Sequence, residues 1–310
     1  MIKKECFTAE WIEQVSSELH YNDKNLIEKV IRALSLLEML VKAGCPLVFK
    51  GGTALMLILG KSAHRLSIDI DLICPPGTNI EDYLKSFADF GFINLELVER
   101  KQRDDADIPK SHSKFFYQIA YRNDTDAQSY ILLDVLYEDI HYFRTQQIAI
   151  NCPFIRLEGK PLMVTVPSAE DILGDKLTAF APNTTGIPYY RNGRSCSMEI
   201  AKQLYDVGRL FENVSDLQIT KEAFRKIAVV ELSYRSFGTD IGQVFNDIRQ
   251  TALCISTRGK AGEGDFDLIQ DGIIRVKSFM YKQRYLIDHA IIDAARAAYL
   301  ATLIEKGINE

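Results

Sequence analysis

Two aspartates separated by one residue, Asp69 and Asp71, are the side chains of this sequence best suited to chemistry. They lie in residues 66–72, where polar and apolar residues alternate as in a β-strand. Side chains two positions apart in a strand project from one face, roughly 6.5–7 Å apart along the chain. Two carboxylates at that separation repel each other unless a cation lies between them. The pair therefore favours a Mg²⁺ site that leaves positions for phosphate oxygens, and a solvated strand face or a turn is the alternative.

A glycine pair shortly before these aspartates could bind the phosphates. Gly51, Gly52 and Thr53 lie between a candidate strand at 46–50 and a short apolar helix that follows. At a strand-to-helix turn the free backbone amides and the helix dipole favour a phosphate, and the Thr53 hydroxyl can donate a hydrogen bond. A glycine pair taken alone is more often a tight turn.

A third carboxylate, Asp134, lies within the apolar run 131–136. An acidic side chain in an apolar strand is costly unless it is paired, hydrogen-bonded or bound to a metal. Asp134 is therefore a candidate third metal ligand, and an ion pair with a lysine or arginine is the alternative.

These motifs together resemble a known superfamily. A strand, a Gly-Gly-Thr turn, a helix, two aspartates and one later aspartate are the signature of nucleotidyltransferases with the polymerase-β-like fold. Residues 49–55 and 65–72 look specifically like the AbiEii/AbiGii toxin family, which includes the MenT-type toxins. Residues 171–179 resemble that family's lysine-bearing helix, and 202–210 resemble its later helix with a basic residue followed by an aspartate.

The resemblance implies roles for single residues. Asp69, Asp71 and Asp134 would hold Mg²⁺, and Gly51, Gly52 and Thr53 would cradle the phosphates of a nucleoside triphosphate (NTP). Further phosphate contacts are implied for the basic residues Lys176, Arg191, Arg194 and Lys202, with the choice between the two arginines left open. Asp206 would accept a proton, orient the nucleophile or pair with Lys176. Gln203 stands where the family usually has an aspartate, so any role of that acid is absent.

The activity implied by the resemblance is a Mg²⁺-dependent transfer of a nucleotidyl group from an NTP to an acceptor hydroxyl. An RNA 3′ end, such as that of tRNA, is the expected acceptor. Such a protein would be the toxin of a toxin–antitoxin or phage-defence system, with an antitoxin protein as a further partner. The alternatives are a nucleotide sensor without turnover and a metal-dependent phosphohydrolase that uses the same carboxylates.

The composition limits the other functions that the chain could have. With 37 Lys and Arg against 42 Asp and Glu, the 310 residues carry a formal net charge of -5. This balance argues against a protein that coats nucleic acid or binds membranes through a polybasic surface, although it permits a local basic groove. The cysteines are isolated, no apolar stretch could span a bilayer, and the first residues lack the apolar region of a signal peptide. We therefore expect a cytoplasmic protein without membrane contact.

The hydrophobic pattern predicts an α+β protein in two parts. Residues 1–166 should form a mixed sheet with flanking helices, and residues 167–310 a helical domain. The resemblance implies that the first part is the nucleotidyltransferase domain and that the helical domain contributes to the active-site cleft. His64, His112 and His141 are expected in or beside surface loops.

Strands are predicted near 46–50, 66–72, 92–99, 114–122 and 130–137, with a helix over 80–90. Later helices are predicted near 168–180, 197–212, 219–235, 240–256, 266–280 and 283–306.

Overall fold

The computed structural model describes residues 1–97, 110–121, 127–234, 238 and 240–308. The chain divides into two compact units. The first consists of Met1–Ile140, Thr145–Pro167 and Phe279–Gln283. The second consists of His141–Arg144, Ser168–Ser278 and Arg284–Glu310. Both aspartates of the Asp69/Asp71 motif belong to the first unit, and the second unit consists mainly of helices.

A mixed β-sheet of five strands lies in the first unit, in the order β1-β2-β5-β4-β3. Its strands are β1 (Val48–Lys50), β2 (Ile70–Cys74), β3 (Asn94–Leu97), β4 (Lys110–Gln118) and β5 (Gln128–Tyr137). Strands β2 and β5 pair in parallel, and the other neighbours in this sheet pair antiparallel. A separate antiparallel pair joins β6 (Thr145–Ala149) to β7 (Met163–Pro167). The α+β class predicted from the sequence is confirmed.

Three α-helices precede or flank this sheet: α1 (Ala9–Glu18), α2 (Lys24–Lys42) and α3 (Gly51–Leu59). Helix α2 begins where the Asp23 side chain accepts a hydrogen bond from the backbone N–H of Leu26, and most of its length is buried. A buried ion pair between Glu28 and Arg32 lies on this helix. Burial raises the pKa of the Glu28 carboxyl, which also accepts a hydrogen bond from the Ala120 backbone.

The helix predicted over 80–90 is wrong. The segment forms two short 3-10 turns, Ile80–Tyr83 and Phe87–Phe90. The Phe90 carbonyl accepts a hydrogen bond from Ser35 of α2, and the Gly91 carbonyl accepts one from Arg32. Because these carbonyls bond to α2, packing against that helix overrides the local helical pattern.

The predicted strands occur with shifted bounds. Strand β3 is shorter than the predicted 92–99, of which residues 98 and 99 lie outside the described residues. Strand β4 begins four residues before the predicted 114 and ends at Gln118, and residue 122 is also outside the described part of the chain.

The second unit contains six α-helices within its described residues, close to the predicted positions. They are α4 (Ala169–Ala179), α5 (Ser197–Phe211), α6 (Leu217–Tyr234), α7 (Ile241–Ser256), α8 (Phe266–Val276) and α9 (Ile287–Lys306). A two-stranded hairpin of β8 (Tyr190–Arg191) and β9 (Arg194–Ser195) precedes α5. Helices α4 and α6 cross at Gly174, where a Cβ atom would lie 2.7 Å from the backbone nitrogen of Phe224. Glycine thus permits the close approach of these two helices.

Among the described residues, none of the helices has the length and apolar character needed to cross a bilayer.

Candidate active site

Four polar side chains form a row across neighbouring strands of the sheet. Lys50 pairs with Asp71 between β1 and β2, and Asp71 pairs with Asp134 between β2 and β5. Asp134 in turn pairs with His112 between β5 and β4. Residues directly opposite each other in a sheet project from the same face, and neighbouring strands lie about 4.8 Å apart. The register therefore brings two of the predicted metal ligands, Asp71 and Asp134, side by side.

The apolar neighbours of these aspartates fix the face from which they project. Ile70 and Leu72 are buried on either side of Asp71, and Leu133 and Val135 are buried on either side of Asp134. A shift of one residue in the register would expose these four side chains and bury the carboxylates. Burial of the apolar face thus determines where the two acidic groups lie.

Asp69 lies outside the strand in which the sequence pattern placed it. The strand predicted over 66–72 occurs with shifted bounds, because β2 begins at Ile70 and ends at Cys74. The preceding residues bond elsewhere in the first unit: the Leu66 backbone N–H donates to the Phe279 carbonyl, and Arg65 forms a β-bridge with Met280. Asp69 therefore belongs to the segment that enters β2, beside the strand rather than within it.

Thr53 holds this segment in place. Its hydroxyl donates a 2.7 Å hydrogen bond to the backbone carbonyl of Asp69, and its side chain is fully buried. A hydroxyl has a single proton to donate, so in this structure the Thr53 side chain positions the Asp69 backbone rather than presenting a donor to a phosphate.

The glycine pair brings the start of α3 against the carboxylates. Gly51 has a φ of +78°, and a Cβ atom at this position would lie 2.1 Å from Oδ2 of Asp71. A Cβ atom on Gly52 would lie 2.7 Å from Oγ of Ser67 and 2.9 Å from Nη2 of Arg65. No side chain caps the start of α3, so the partial positive charge of its first backbone amides lies beside Asp71. Such a helix start is suited to binding phosphate.

His112 contacts the third carboxylate and was missed by the sequence analysis. Its Nδ1 atom lies 2.5 Å from Oδ1 of Asp134, and only 12% of its side chain is exposed. The expectation of a surface-loop histidine is wrong, because β4 begins at Lys110 and includes this residue. The alternation of polar and apolar residues in His112-Ser-Lys-Phe-Phe could have indicated the strand, but only the register with β5 reveals the contact.

The donor atoms of this cluster fit a hard divalent cation. Asp71 and Asp134 offer carboxylate oxygens from neighbouring strands, and oxygen donors are those that Mg²⁺ prefers. Because Gly51 has no side chain, the Asp71 carboxylate lies directly against the backbone at the start of α3. Within the described residues, no three side chains of the metal-binding types are already grouped around one point. The oxygen donors of these residues therefore fit a divalent cation. One oxygen of Asp134 is already hydrogen-bonded to His112.

The second unit holds the other predicted residues. Nζ of Lys176 on α4 lies 3.1 Å from Oδ2 of Asp206 on α5, and both side chains are buried. Of the roles considered for Asp206, pairing with Lys176 is the one that this geometry shows. Arg191 and Arg194 are exposed on the hairpin, and Lys202 is half-buried on α5.

Comparison with known families identifies the chain. The family described as "Nucleotidyl transferase AbiEii toxin, Type IV TA system" matches residues 34–284. The chain belongs to the AbiEii family. This AbiEii-family protein is therefore a nucleotidyltransferase, as the sequence motifs predicted.

Solved structures similar to this AbiEii-family protein include two bacterial proteins. JHP933 from Helicobacter pylori has 15% sequence identity and a TM-score of 0.44, with 99% of this chain and 95% of that chain covered. MenT4, a nucleotidyltransferase toxin from Mycobacterium tuberculosis H37Rv, has 14% identity and a TM-score of 0.49, with 95% and 89% covered. No curated protein matches the chain.

The contact between Gly51 and Asp71 predicts the effect of a single added methyl group. Gly51→Ala combines a left-handed φ with a clash against Oδ2 of Asp71, whereas Gly77→Ala has a φ of +82° and meets no atom within 4 Å. Both variants should lose roughly 1 kcal/mol of unfolding free energy through the backbone conformation. Gly51→Ala should lose about 1–3 kcal/mol more through the clash. Chemical denaturation measures both costs, and equal costs would show that Asp71 does not lie against Gly51.

The contact between His112 and Asp134 predicts a change in the metal requirement. Since a partner that orients a metal ligand typically contributes 10–100-fold to affinity or activity, His112→Asn should raise the Mg²⁺ concentration for half-maximal nucleotidyl transfer by about tenfold or more. His20→Asn, at an exposed position, is the matched control. Titration of activity with Mg²⁺ measures this requirement. An unchanged Mg²⁺ dependence in a folded His112→Asn protein would contradict the role assigned to the contact.

Proposed function

We propose that this protein is a Mg²⁺-dependent toxin that transfers a nucleoside monophosphate from an NTP to a hydroxyl at an RNA 3′ end, such as that of tRNA. The observation that carries this proposal is the in-register placement of Asp71 and Asp134 beside the uncapped start of α3. A pair of carboxylates, one of which lies beside the first backbone amides of a helix, provides groups for both a cation and the phosphates of its nucleotide. Family membership supplies the class of reaction.

Asp69, Asp71 and Asp134 are proposed as the ligands of Mg²⁺. When bound, the cation would neutralise charge on the triphosphate and stabilise the charge that develops during transfer. The acceptor oxygen would form a bond to the α-phosphorus, the bond to pyrophosphate would break, and the hydroxyl proton would pass to water. Within this scheme Gly51 and Gly52 allow the phosphates to approach the backbone amides of α3.

The roles of the residues in the second unit are a further part of the proposal. Lys176 is proposed to contact phosphate, and Asp206 to hold its ammonium group in place, since the two side chains form a buried ion pair. A lysine serves as a point charge toward phosphate, so its orientation depends on its partner. Lys202 and one of the two hairpin arginines are the further phosphate contacts expected from the sequence.

The biological setting follows from the family description. The words "Type IV TA system" support an antitoxin as the partner of the proposed toxin. NTP and RNA are both available in the cytoplasm, so the proposal includes a cytoplasmic site of action, as expected from the sequence.

Incubation with each labelled NTP, Mg²⁺ and total tRNA tests the proposed reaction. Wild-type protein should label RNA, and Asp71→Asn should lower the labelling at least about a hundredfold, because the amide keeps the shape but removes the negative charge that stabilises a bound cation. Asp82→Asn, which alters an exposed carboxylate, should leave labelling unchanged.

Other outcomes of the same assay would favour the alternatives. Thermal stabilisation by NTP without any product would indicate a nucleotide sensor. Release of nucleoside monophosphate or phosphate without an acceptor would indicate a phosphohydrolase. Labelling by Asp71→Asn at the wild-type rate would contradict the role assigned to the in-register carboxylates.

A further inference from the structure

The hairpin of β8 and β9 presents two arginines in a fixed arrangement. Arg191 pairs with Arg194, and Tyr190 pairs with Ser195. Asn192 and Gly193 form the turn with φ values of 58° and 74°. Positive φ at both central residues is the requirement of the tight type I′ hairpin turn, which Asn-Gly meets without strain. The sequence of the turn therefore fixes the separation of the two arginines.

The two like charges on the hairpin favour a bound anion. Side chains directly opposite each other on an antiparallel pair have Cβ atoms about 5 Å apart, and like charges there destabilise the pair. Both arginines are exposed. A phosphate group between them would remove the repulsion and accept bidentate hydrogen bonds.

The base of the hairpin is firmly attached to the second unit. The Cys196 backbone N–H donates a 2.9 Å hydrogen bond to the Tyr189 carbonyl. The Ser197 hydroxyl lies 3.3 Å from Oδ2 of Asp271 on α8. Gly272 packs so closely on this segment that a Cβ atom there would lie 2.1 Å from the Ser197 carbonyl oxygen. The arginines are thus carried by an ordered ribbon joined to α5 and α8.

An open pocket adjoins this base. It is a shallow depression of the surface, lined by Met198, Ile274, Arg275, Lys277 and Ser278. Ile274 is 62% exposed, and Arg275 also lies 3.7 Å from Asp271. The pocket thus combines an apolar surface with two cations.

The pocket and the arginines are close along the chain. Met198 follows Arg194 by four residues, which span at most about 14 Å even when fully extended. A single strand of nucleic acid combines phosphates with bases that can leave the stack, and its recognition typically combines cationic contacts with apolar or aromatic surfaces for the bases. The arginine pair and the Met198/Ile274 surface offer these two kinds of contact next to each other.

We propose that the hairpin and this pocket form a binding site for single-stranded RNA. Arg191 and Arg194 hold its phosphates, and a base lies against Met198 and Ile274. The choice of RNA rests on the proposed function, because the bound strand would be the one whose 3′ end is the acceptor. Both arginines are thereby assigned to the acceptor strand, in place of the NTP contact expected from the sequence. With a net charge of -5, the protein would bind RNA through this local surface.

Fluorescence anisotropy with a short labelled single-stranded RNA tests this site. Removal of two phosphate contacts in Arg191→Ala/Arg194→Ala should weaken binding about tenfold or more at low salt. It should also reduce the slope of log K against log salt by about 1.4, because each phosphate contact on a single strand contributes about 0.7. Ile274→Ser should weaken binding without changing the slope, since it removes an apolar contact.

A matched control variant distinguishes the loss of this site from a general loss of positive charge. Lys260→Ala/Lys306→Ala removes the same two positive charges from exposed positions of the same unit, and it should bind RNA like the wild type. If the arginine variant behaves like this control, or if the wild type does not bind the RNA, the proposed site is wrong.

Nucleotide binding distinguishes the two assignments of the arginines. Titration with labelled NTP and Mg²⁺ should give the same affinity for wild type and Arg191→Ala/Arg194→Ala. Loss of NTP binding with retained RNA binding would overturn the RNA site and support the sequence-based expectation. RNA binding through the arginines without any nucleotidyl transfer would leave this site intact and contradict the proposed function instead.

Discussion

The parallel pairing of β2 with β5 is the constraint on which the candidate active site depends. It brings Asp71 beside Asp134 on one face of the sheet. The fold keeps these carboxylates there because their apolar neighbours Ile70, Leu72, Leu133 and Val135 are buried on the opposite face of the sheet. Hydrophobic burial thus holds two acidic groups side by side, with Lys50 and His112 at the two ends of the same row.

Neighbouring groups refine this arrangement without changing the register. Gly51 lets the start of α3 approach Asp71, and Thr53 fixes the backbone of Asp69. His112 bonds one oxygen of Asp134 from the next strand. Each of these contacts joins residues on different elements of the first unit, so the carboxylates are positioned by the sheet as a whole. In the second unit, Lys176 and Asp206 are each positioned by the buried ion pair that they form.

The sequence predicted the residue types of the site better than their arrangement. Asp69, Asp71 and the glycine pair were recognisable because their spacing is local, and the α+β class followed from the hydrophobic periodicity. The place of Asp69 outside β2 depends on backbone bonds to Phe279 and Met280, more than 200 positions away, and no local pattern encodes such bonds. His112 was assigned to a loop for the same reason, because its contact depends on the register of β4 with β5. The sequence does indicate that Asp134, the partner of His112, is a carboxylate that must be paired, hydrogen-bonded or bound to a metal.

Asp71 and Asp134 of the first unit should form one cation site. Isothermal titration calorimetry with Mn²⁺ and a non-hydrolysable NTP analogue tests it most directly. Wild-type protein should bind the cation together with the analogue, and a folded Asp71→Asn/Asp134→Asn variant should lose this binding. Equal cation binding by the two proteins would contradict the account.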